Sequence, residues 1–362
     1  MITLYTSFKR KEFSSQVPDV EFAITLDRAL VTVTASKSGD QLVAYSEYLF
    51  PDSNGKISLC DMDRLIEPYA TRWLVFSLGV TIREERITTN NEGVEVVSEH
   101  FERSLSTEII SCRANILNTT ASVWCLERFL SLIDGPKSTA IGWVERLTYI
   151  GSAAATCTAY YEDGGSIQFS VPEVFRGDAI TVDVSSVNFM SSGRRLMWYQ
   201  VTAGSRSQKY EVDYDVDPDV APVLLFWNSF GVQELAYCTG ELKQVSSYDR
   251  KQARIGRLKK TYDMEEKETF RADTGYLTYP MANWWREVFR SRELVVCPVY
   301  NGVVETSGKP IVIISEKQEM SNAPDALPRF TFEYEYADRN HSIFDVRAEG
   351  RIFDDTFDDT FN

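Results

Sequence analysis

An acidic run at residues 210–220 has a spacing of carboxylates that suits cation binding. In its sequence, YEVDYDVDPDV, acidic side chains recur at every second position, at Glu211, Asp213, Asp215, Asp217 and Asp219. On a strand they would share one face and repel one another unless a cation covered them. A calcium loop has similar spacing, but Pro218 replaces its glycine and Leu224 its bidentate glutamate. We therefore predict no metal site, and favour a solvated edge strand or linker over a surface that pairs with a basic partner.

A basic run at residues 249–260 has the opposite charge. Its sequence, DRKQARIGRLKK, contains six cations, Arg250, Lys251, Arg254, Arg257, Lys259 and Lys260. The acidic segment DMEEKE follows at residues 263–268. The two segments are either facing strands whose charges pair across a hairpin, or the basic run docks on an acidic face of a neighbouring subunit, such as residues 211–219. Nucleic acid is not an expected partner, because the run has no interleaved aromatics and the chain has a net charge of −15.

Patterns that define catalytic sites are absent from the sequence. His100 and His341 are the only histidines, and GxSxG, HExxH and GxGxxG do not occur. The segment GVVETSGKP at residues 302–310 is one residue too long for a phosphate-binding loop and has Pro310 where serine or threonine is needed. We predict no catalytic, cofactor-binding or metal-binding residues and no enzymatic activity, although a glycoside hydrolase would need only two of the many carboxylates.

Residues 351–362, RIFDDTFDDTFN, form a four-residue repeat that alternates aromatic and acidic side chains. On a helix, Phe353, Phe357 and Phe361 would share one face, and acidic pairs that begin at Asp354 and Asp358 separate them. Exposed phenylalanines are an aggregation liability. We therefore predict that this acidic and aromatic tail docks, either on its own domain or on a partner subunit.

Composition limits the class of protein. Hydrophobic residues make up 43% and charged residues 25% of the 362 positions, as in globular chains of about two or three domains. The longest apolar runs, at 73–80 and 221–227, are too short to cross a membrane, and the start of the chain has no signal-peptide pattern. The six cysteines are widely spaced, so we expect buried thiols in a reducing compartment.

One stretch of sequence occurs twice. Residues 54–75 align with residues 274–295 without a gap, so that Gly55 matches Gly275. The shared pattern is a glycine turn, a short strand, an amphipathic helix and a return to a strand. We interpret it as the common element of two related domains.

The predicted helices differ between these two copies. The first has an N-cap candidate at Asp61 and is expected to end near Glu67, because proline follows at position 68. In the second, Trp284 and Trp285 supply the apolar face. We expect each helix to pack on its own sheet as structure rather than as an active site.

The surrounding segments predict a mainly β fold. Alternating apolar and polar residues are separated by turn sequences, for example at Asn90–Gly93 and Asp163–Gly165. We predict tandem β-sandwich-like domains, the first and third related and each carrying one short helix, with an inserted all-β domain between them. The predicted domains are residues 1–118, 119–218 and 219–350, followed by the tail.

Three strings of sequence resemble a known group of proteins. FPDSNGKISL (50–59), VLLFWNSFGVQE (223–234) and the ending RIFDDTFDDTF are similar to strings in uncharacterised tail-region proteins of Bacteroidales phages and prophages. The positions that carry the resemblance are Phe226, Asn228, Ser229, Phe230, Gly231, Glu234, Phe353, Asp354, Thr356 and Phe357. The resemblance implies a structural role in a virion, in its tail or baseplate.

The expected function is therefore that of a non-enzymatic structural protein of a bacteriophage virion, in the tail, baseplate or neck. It would be made in the host cytoplasm and bind copies of itself and other virion proteins, without a membrane. An alternative is a carbohydrate-binding or adhesive β-sandwich protein, in which Trp198, Trp227 or Trp284 lines a sugar platform. A glycoside hydrolase is the third.

Overall fold

The computed structural model describes residues 1–216, 221–255, 257–300, 303–305, 307–321 and 326–338. Strands account for 53% of the described residues and helical segments for 12%, so the predicted mainly β class with several sandwich-like sheets is confirmed. The chain forms two compact units. The first comprises residues 1–138, 145–212 and 227–234, and the second comprises residues 139–144, 213–226 and 235–362. The predicted three-domain boundaries stay a prediction.

The first part of the first unit is a sandwich of two sheets. Its strands are β1 (Thr3–Leu4), β2 (Lys11–Phe13), β3 (Val20–Ala23), β4 (Arg28–Lys37), β5 (Asp40–Leu49), β6 (Lys56–Leu59), β7 (Val75–Thr89) and β8 (Glu95–Ile110), with helix α1 (Met62–Arg72) between β6 and β7. One sheet has the order β1-β3-β6 and the other β2-β8-β7-β4-β5. Alternate residues of β4 point inward, so Val31 and Val33 pack with Phe22 and with Ile66 of α1 in one core.

A second sandwich follows in the same unit. After helix α2 (Ala121–Glu127) come β9 (Lys137–Ala140), β10 (Arg146–Tyr149), β11 (Ala155–Tyr161), β12 (Ser166–Ser170), β13 (Glu173–Arg176), β14 (Ile180–Asp183), β15 (Leu196–Ala203) and β16 (Arg206–Asp213). The sheets have the orders β10-β14-β13 and β12-β11-β15-β16-β9. Tyr149 and Val182 of the first sheet pack with Cys157 and Tyr199 of the second, so this sandwich has one core between its two sheets.

The second unit is built on a seven-stranded sheet. Its elements are β17 (Val223–Trp227), β18 (Gln233–Tyr237), β19 (Leu242–Ile255), β20 (Leu258–Asp273), helix α3 (Tyr279–Arg290), β21 (Leu294–Cys297), β22 (Val299–Tyr300), β23 (Val303–Val304), β24 (Lys309–Glu319) and β25 (Arg329–Tyr336). The order is β18-β17-β21-β24-β25-β20-β19. Trp284 packs edge-on against Phe226, with ring centroids 5.5 Å apart, and Phe289 packs on Phe332 at 5.4 Å. Helix α3 therefore covers one face of its own sheet, as predicted.

Part of this strand order occurs in both units. In each unit, two consecutive strands lie side by side. The first strand after the helix pairs antiparallel with the earlier of those two strands, and a later strand pairs antiparallel with it on its other side. The resulting orders are β5-β4-β7-β8 and β18-β17-β21-β24. Gly55 and Gly275 precede the helices with φ angles of +77° and +73°, where glycine carries no Cβ penalty. The duplication remains a prediction. Two copies of one domain would share a strand order, and these two orders match.

The expected end of α1 at Glu67 is wrong. The helix continues to Arg72 with Pro68 inside it. Beyond the proline, Tyr69 and Ala70 pack against the core that contains Met62 and Ile66, and this packing outweighs the one backbone hydrogen bond that proline removes. Asp61 is the N-cap as predicted, but its side chain makes no cap bond.

The remaining expectations from composition concern thiols and membranes. Five of the six cysteines are buried and Cys60 is exposed; all are free. Burial raises the pKa of Cys125 to about 11 and that of Cys157 to about 12, so these thiols are poor nucleophiles. Among the described residues, helices with the length and apolar character needed to span a bilayer are absent.

Candidate assembly surfaces

The longest hairpin in the second unit extends beyond its sheet. Strands β19 and β20 pair with each other from Leu242 to Ala272, but β20 pairs with β25 only between Phe270 and Asp273. Residues 245–268 therefore form a two-stranded ribbon, which we call the basic arm. A two-stranded ribbon on its own is only marginally stable in water.

The described side chains of the basic arm contribute nothing to a core of the chain. Every described side chain in it is exposed or half-buried. Three large apolar residues are among the exposed ones: Val245 at 59%, Tyr248 at 48% and Leu258 at 64%. An arm that exposes apolar side chains on a ribbon with free edges is typical of a segment that contacts another protein.

All six cations predicted as interface residues lie at the outer end of this arm. The strands end at Ile255 and resume at Leu258, so the turn falls inside the basic run. Arg254 consequently lies directly opposite Lys259, while Lys251 lies opposite Asp263. The predicted facing of the two segments therefore holds for the start of the basic run, where Lys251 faces Asp263, whereas its outer end folds back on itself. Like charges placed opposite each other destabilise a ribbon.

The first unit has a shorter arm of opposite charge. Strand β4 pairs with β7 only as far as Glu85, and beyond it β7 and β8 pair with each other alone. We call residues 86–101 the acidic arm, since it carries Arg86 against three glutamates at 92, 95 and 99. Val94 is 54% exposed and Phe101 47%. The hairpin turn lies at Asn90–Gly93 as predicted, with the Gly93 N–H donating to Asn90 at 3.0 Å.

The acidic run is a strand for only part of its length. Strand β16 ends at Asp213, and the Asp215 N–H donates to the Asp213 carboxylate at 2.9 Å in a turn. The five carboxylates therefore do not line one strand face, because this turn follows the strand. Asp213 and Asp215 remain exposed. Asp217 and Asp219 lie outside the described residues, as does the whole tail, including Phe353, Phe357, Phe361, Asp354 and Asp358.

Two of the three tryptophans of the sugar-platform alternative, Trp284 and Trp198, do not offer a platform, and the third, Trp227, is half-buried. Trp284 is only 1% exposed and belongs to the core. Trp198, on β15, is half-buried and stacks on Tyr160 of β11 with centroids 3.7 Å apart and planes 12° apart. The ammonium of Lys209 on β16, the strand on the other side of β15, lies 4.8 Å from the same ring. Both faces of Trp198 are therefore occupied by its neighbours.

A cleft of about 580 Å³ lies within the first unit, and no sequence pattern indicates it. Its polar lining includes Lys37, Arg72, Arg146 and Asp178, with apolar Val174 and Phe175. Lys37 and Asp178 form an ion pair. These residues come from β4, α1, β10, β13 and the loop before β14, so only the folded chain brings them together. We call this site the cationic cleft.

The string WNSFG, which carries much of the sequence resemblance, has a structural role in the first unit. The Asn228 side chain donates to the Leu130 carbonyl at 2.7 Å and to the Glu234 carboxylate. Its carbonyl oxygen accepts the Phe230 N–H at 2.9 Å. Gly231 closes the turn with φ +73°. These contacts fix a tight loop whose Phe230 ring is fully buried.

Neither a cluster of metal ligands among the described residues nor a match to a known family indicates another functional site. In the part of the chain that the structure describes, His, Cys, Asp and Glu side chains form no group of three or more that could hold a metal ion. No family model matches the chain, and no curated protein matches it.

Two solved structures align with the chain at low similarity. The I9–I11 tandem of titin covers 93% of this chain and 90% of its own, at 9% identity and a TM-score of 0.15. The Bacillus anthracis TIE protein covers 76% of this chain, which spans 53% of it, at 8% identity and a TM-score of 0.15. Scores this low carry no argument about fold or function.

Proposed function

We propose that this chain is a non-enzymatic structural protein of a bacteriophage virion, in the tail, baseplate or neck. It assembles with copies of itself and with other virion proteins through exposed β surfaces. The observation that carries this proposal is the basic arm, a long ribbon with no buried side chain among its described residues. The assignment to a phage particle rests on the sequence strings similar to those of phage tail-region proteins.

The stability of the basic arm supports assembly. A paired ribbon gains stability from a third strand or from an apolar surface that packs on it. Outside Phe270–Asp273, the described part of the chain supplies the arm with neither. Contact with a second molecule would bury Val245, Tyr248 and Leu258 and would pair the free strand edges.

The charges support copies of the same chain as partners. Six cations at the outer end of the arm are concentrated in a protein whose net charge is −15. A second copy therefore offers acidic surfaces complementary to the arm, including the acidic arm and the acidic side chains Glu211 and Asp213. Complementary charge speeds association and fixes the register of docking.

Charge reversal at Lys259 tests this proposal. Because Lys259 lies opposite Arg254, Lys259→Glu replaces a repulsive cross-strand pair with an attractive one and leaves the ribbon intact. The same change places a carboxylate against the acidic partner surface. We expect the wild-type protein to form assemblies with masses that are multiples of 41.3 kDa, and the variant to need roughly tenfold higher concentration to assemble. Sedimentation equilibrium at two salt concentrations measures both.

Lys243→Glu is the matched control, since Lys243 lies at the base of the same hairpin, on β19, and outside the basic run. It changes the net charge equally and should leave the assembly within about twofold of the wild type. A wild-type protein that stays at 41.3 kDa at every concentration would contradict the proposal. So would equal assembly of the two variants.

A further inference from the structure

The cationic cleft has two arginines with no acidic partner. Of the four charged residues that line it, Lys37 and Asp178 neutralise each other. Arg72, the last residue of α1, and Arg146, the first of β10, form no ion pair with any described carboxylate. Arg146 is half-buried. The cleft therefore presents two uncompensated guanidinium groups in a protein of net charge −15, and guanidinium groups bind carboxylates well.

One wall of the cleft is apolar and uncovered. Val174 is 52% and Phe175 63% exposed on the short strand β13. The floor is polar, because the hydroxyls of Thr148 and Thr181 hydrogen-bond each other at 3.0 Å. A ligand that fits this arrangement carries both carboxylates and an aromatic or aliphatic group.

We propose that the cationic cleft binds the acidic and aromatic tail, residues 351–362, of a neighbouring copy. The proposal rests on the proposed function, because it names the receiving surface for one contact of the assembly. Each FDDT repeat of the tail supplies two carboxylates and one phenyl ring. The two carboxylates match Arg72 and Arg146, and the ring matches the wall of Val174 and Phe175. A cleft of this volume accommodates roughly four residues, the length of one repeat.

The two arginines provide the specificity of this contact. Aspartate binds arginine through two parallel hydrogen bonds, which fix its position as well as attract it. A neutral aromatic peptide would gain the wall contact alone. An inorganic anion would gain the arginine contacts alone. The tail therefore binds more tightly than either, and its binding weakens as salt rises.

Binding of a synthetic peptide of residues 351–362 tests the proposal in the full-length chain. The tail of the receiving protein has both its rings and its carboxylates removed, so that it cannot compete: it carries Phe353→Ser, Phe357→Ser, Phe361→Ser, Asp354→Asn, Asp355→Asn, Asp358→Asn and Asp359→Asn. Fluorescence anisotropy of the labelled peptide measures binding. We expect saturable binding that Arg72→Gln with Arg146→Gln weakens by roughly tenfold to a hundredfold. Arg64→Gln, on the exposed part of the same helix, should change it by less than about twofold.

A second peptide distinguishes the contribution of the carboxylates to binding from that of the phenylalanines. Replacing all four aspartates of the peptide by asparagine should weaken binding as much as the double arginine variant does. Inorganic phosphate should compete only at millimolar or higher concentration, on the order of 10 mM. Equal binding of the two peptides, equal binding to the arginine variant, or no saturable binding would overturn the proposal.

Light scattering of the full-length protein distinguishes this proposal from the proposed function. If the chain assembles but the peptide does not bind, the tail proposal fails and the assembly role stands. If the peptide binds the receiving protein while the wild-type chain stays a monomer, the tail occupies its own copy, and docking on a neighbour is overturned. Assembly that weakens in Arg72→Gln with Arg146→Gln supports both.

Discussion

Replacing Phe230 by alanine lowers the free energy of unfolding of the first unit by about 3–5 kcal/mol. The Phe230 ring is fully buried and packs on Trp124 and Phe13, with ring centroids 5.7 and 6.3 Å apart. These rings belong to one core cluster with Leu130. Removing the ring leaves a cavity that the loop cannot fill, because the hydrogen bonds of Asn228 hold its backbone in place.

Urea unfolding followed by circular dichroism measures this effect. Leu126→Ala is the control, since Leu126 lies on the neighbouring helix α2 but is 60% exposed. Its truncation should change the free energy of unfolding by less than about 0.5 kcal/mol. Similar unfolding midpoints for the two variants would show that the loop is not part of the core.

Lys137→Met lowers the free energy of unfolding by about 3–5 kcal/mol. The Lys137 ammonium lies 2.6 Å from the Glu145 carboxylate, and the two side chains are only 6% and 1% exposed. Removing the cation leaves a buried carboxylate without this partner. The low dielectric around it makes the remaining charge costly.

The double variant Lys137→Met with Glu145→Leu distinguishes the cost of an isolated buried charge from the cost of lost packing. Replacing a buried ion pair by apolar side chains of similar volume is often close to neutral, so we expect the double variant to recover most of the lost stability. Thermal unfolding by calorimetry measures all three proteins. A double variant as unstable as Lys137→Met would show that the loss comes from packing rather than from the isolated charge.

Local features of the fold were predictable from the sequence. The turns at Asn90–Gly93 and Asp163–Gly165 have glycine where the backbone needs a positive φ. On β25, Phe330 and Phe332 stand at alternate positions and both lie in the core. Where sequence reasoning failed, at Pro68, packing of α1 on its sheet outweighed the local preference of proline.

The assembly surfaces were predictable only in part. The charge run 250–260 was visible in the sequence, but the position of its turn was not, because several registers of the same hairpin are compatible with the alternation. No pattern in the sequence indicates the cationic cleft. Lys37, Arg72 and Arg146 are far apart in the chain and become neighbours only when two sandwiches pack within one unit.

Cross-linking between copies tests the central claim, that the basic arm contacts a second molecule, most directly. Equal amounts of ¹⁴N- and ¹⁵N-labelled protein are mixed, treated with an amine-specific cross-linker and digested. Mass spectrometry then distinguishes links within a copy from links between copies. We predict links between light and heavy peptides at Lys259 and Lys260, and few such links at Lys243, which lies at the base of the arm. If every link at Lys259 and Lys260 joins peptides of the same isotope, the arm does not contact a second copy.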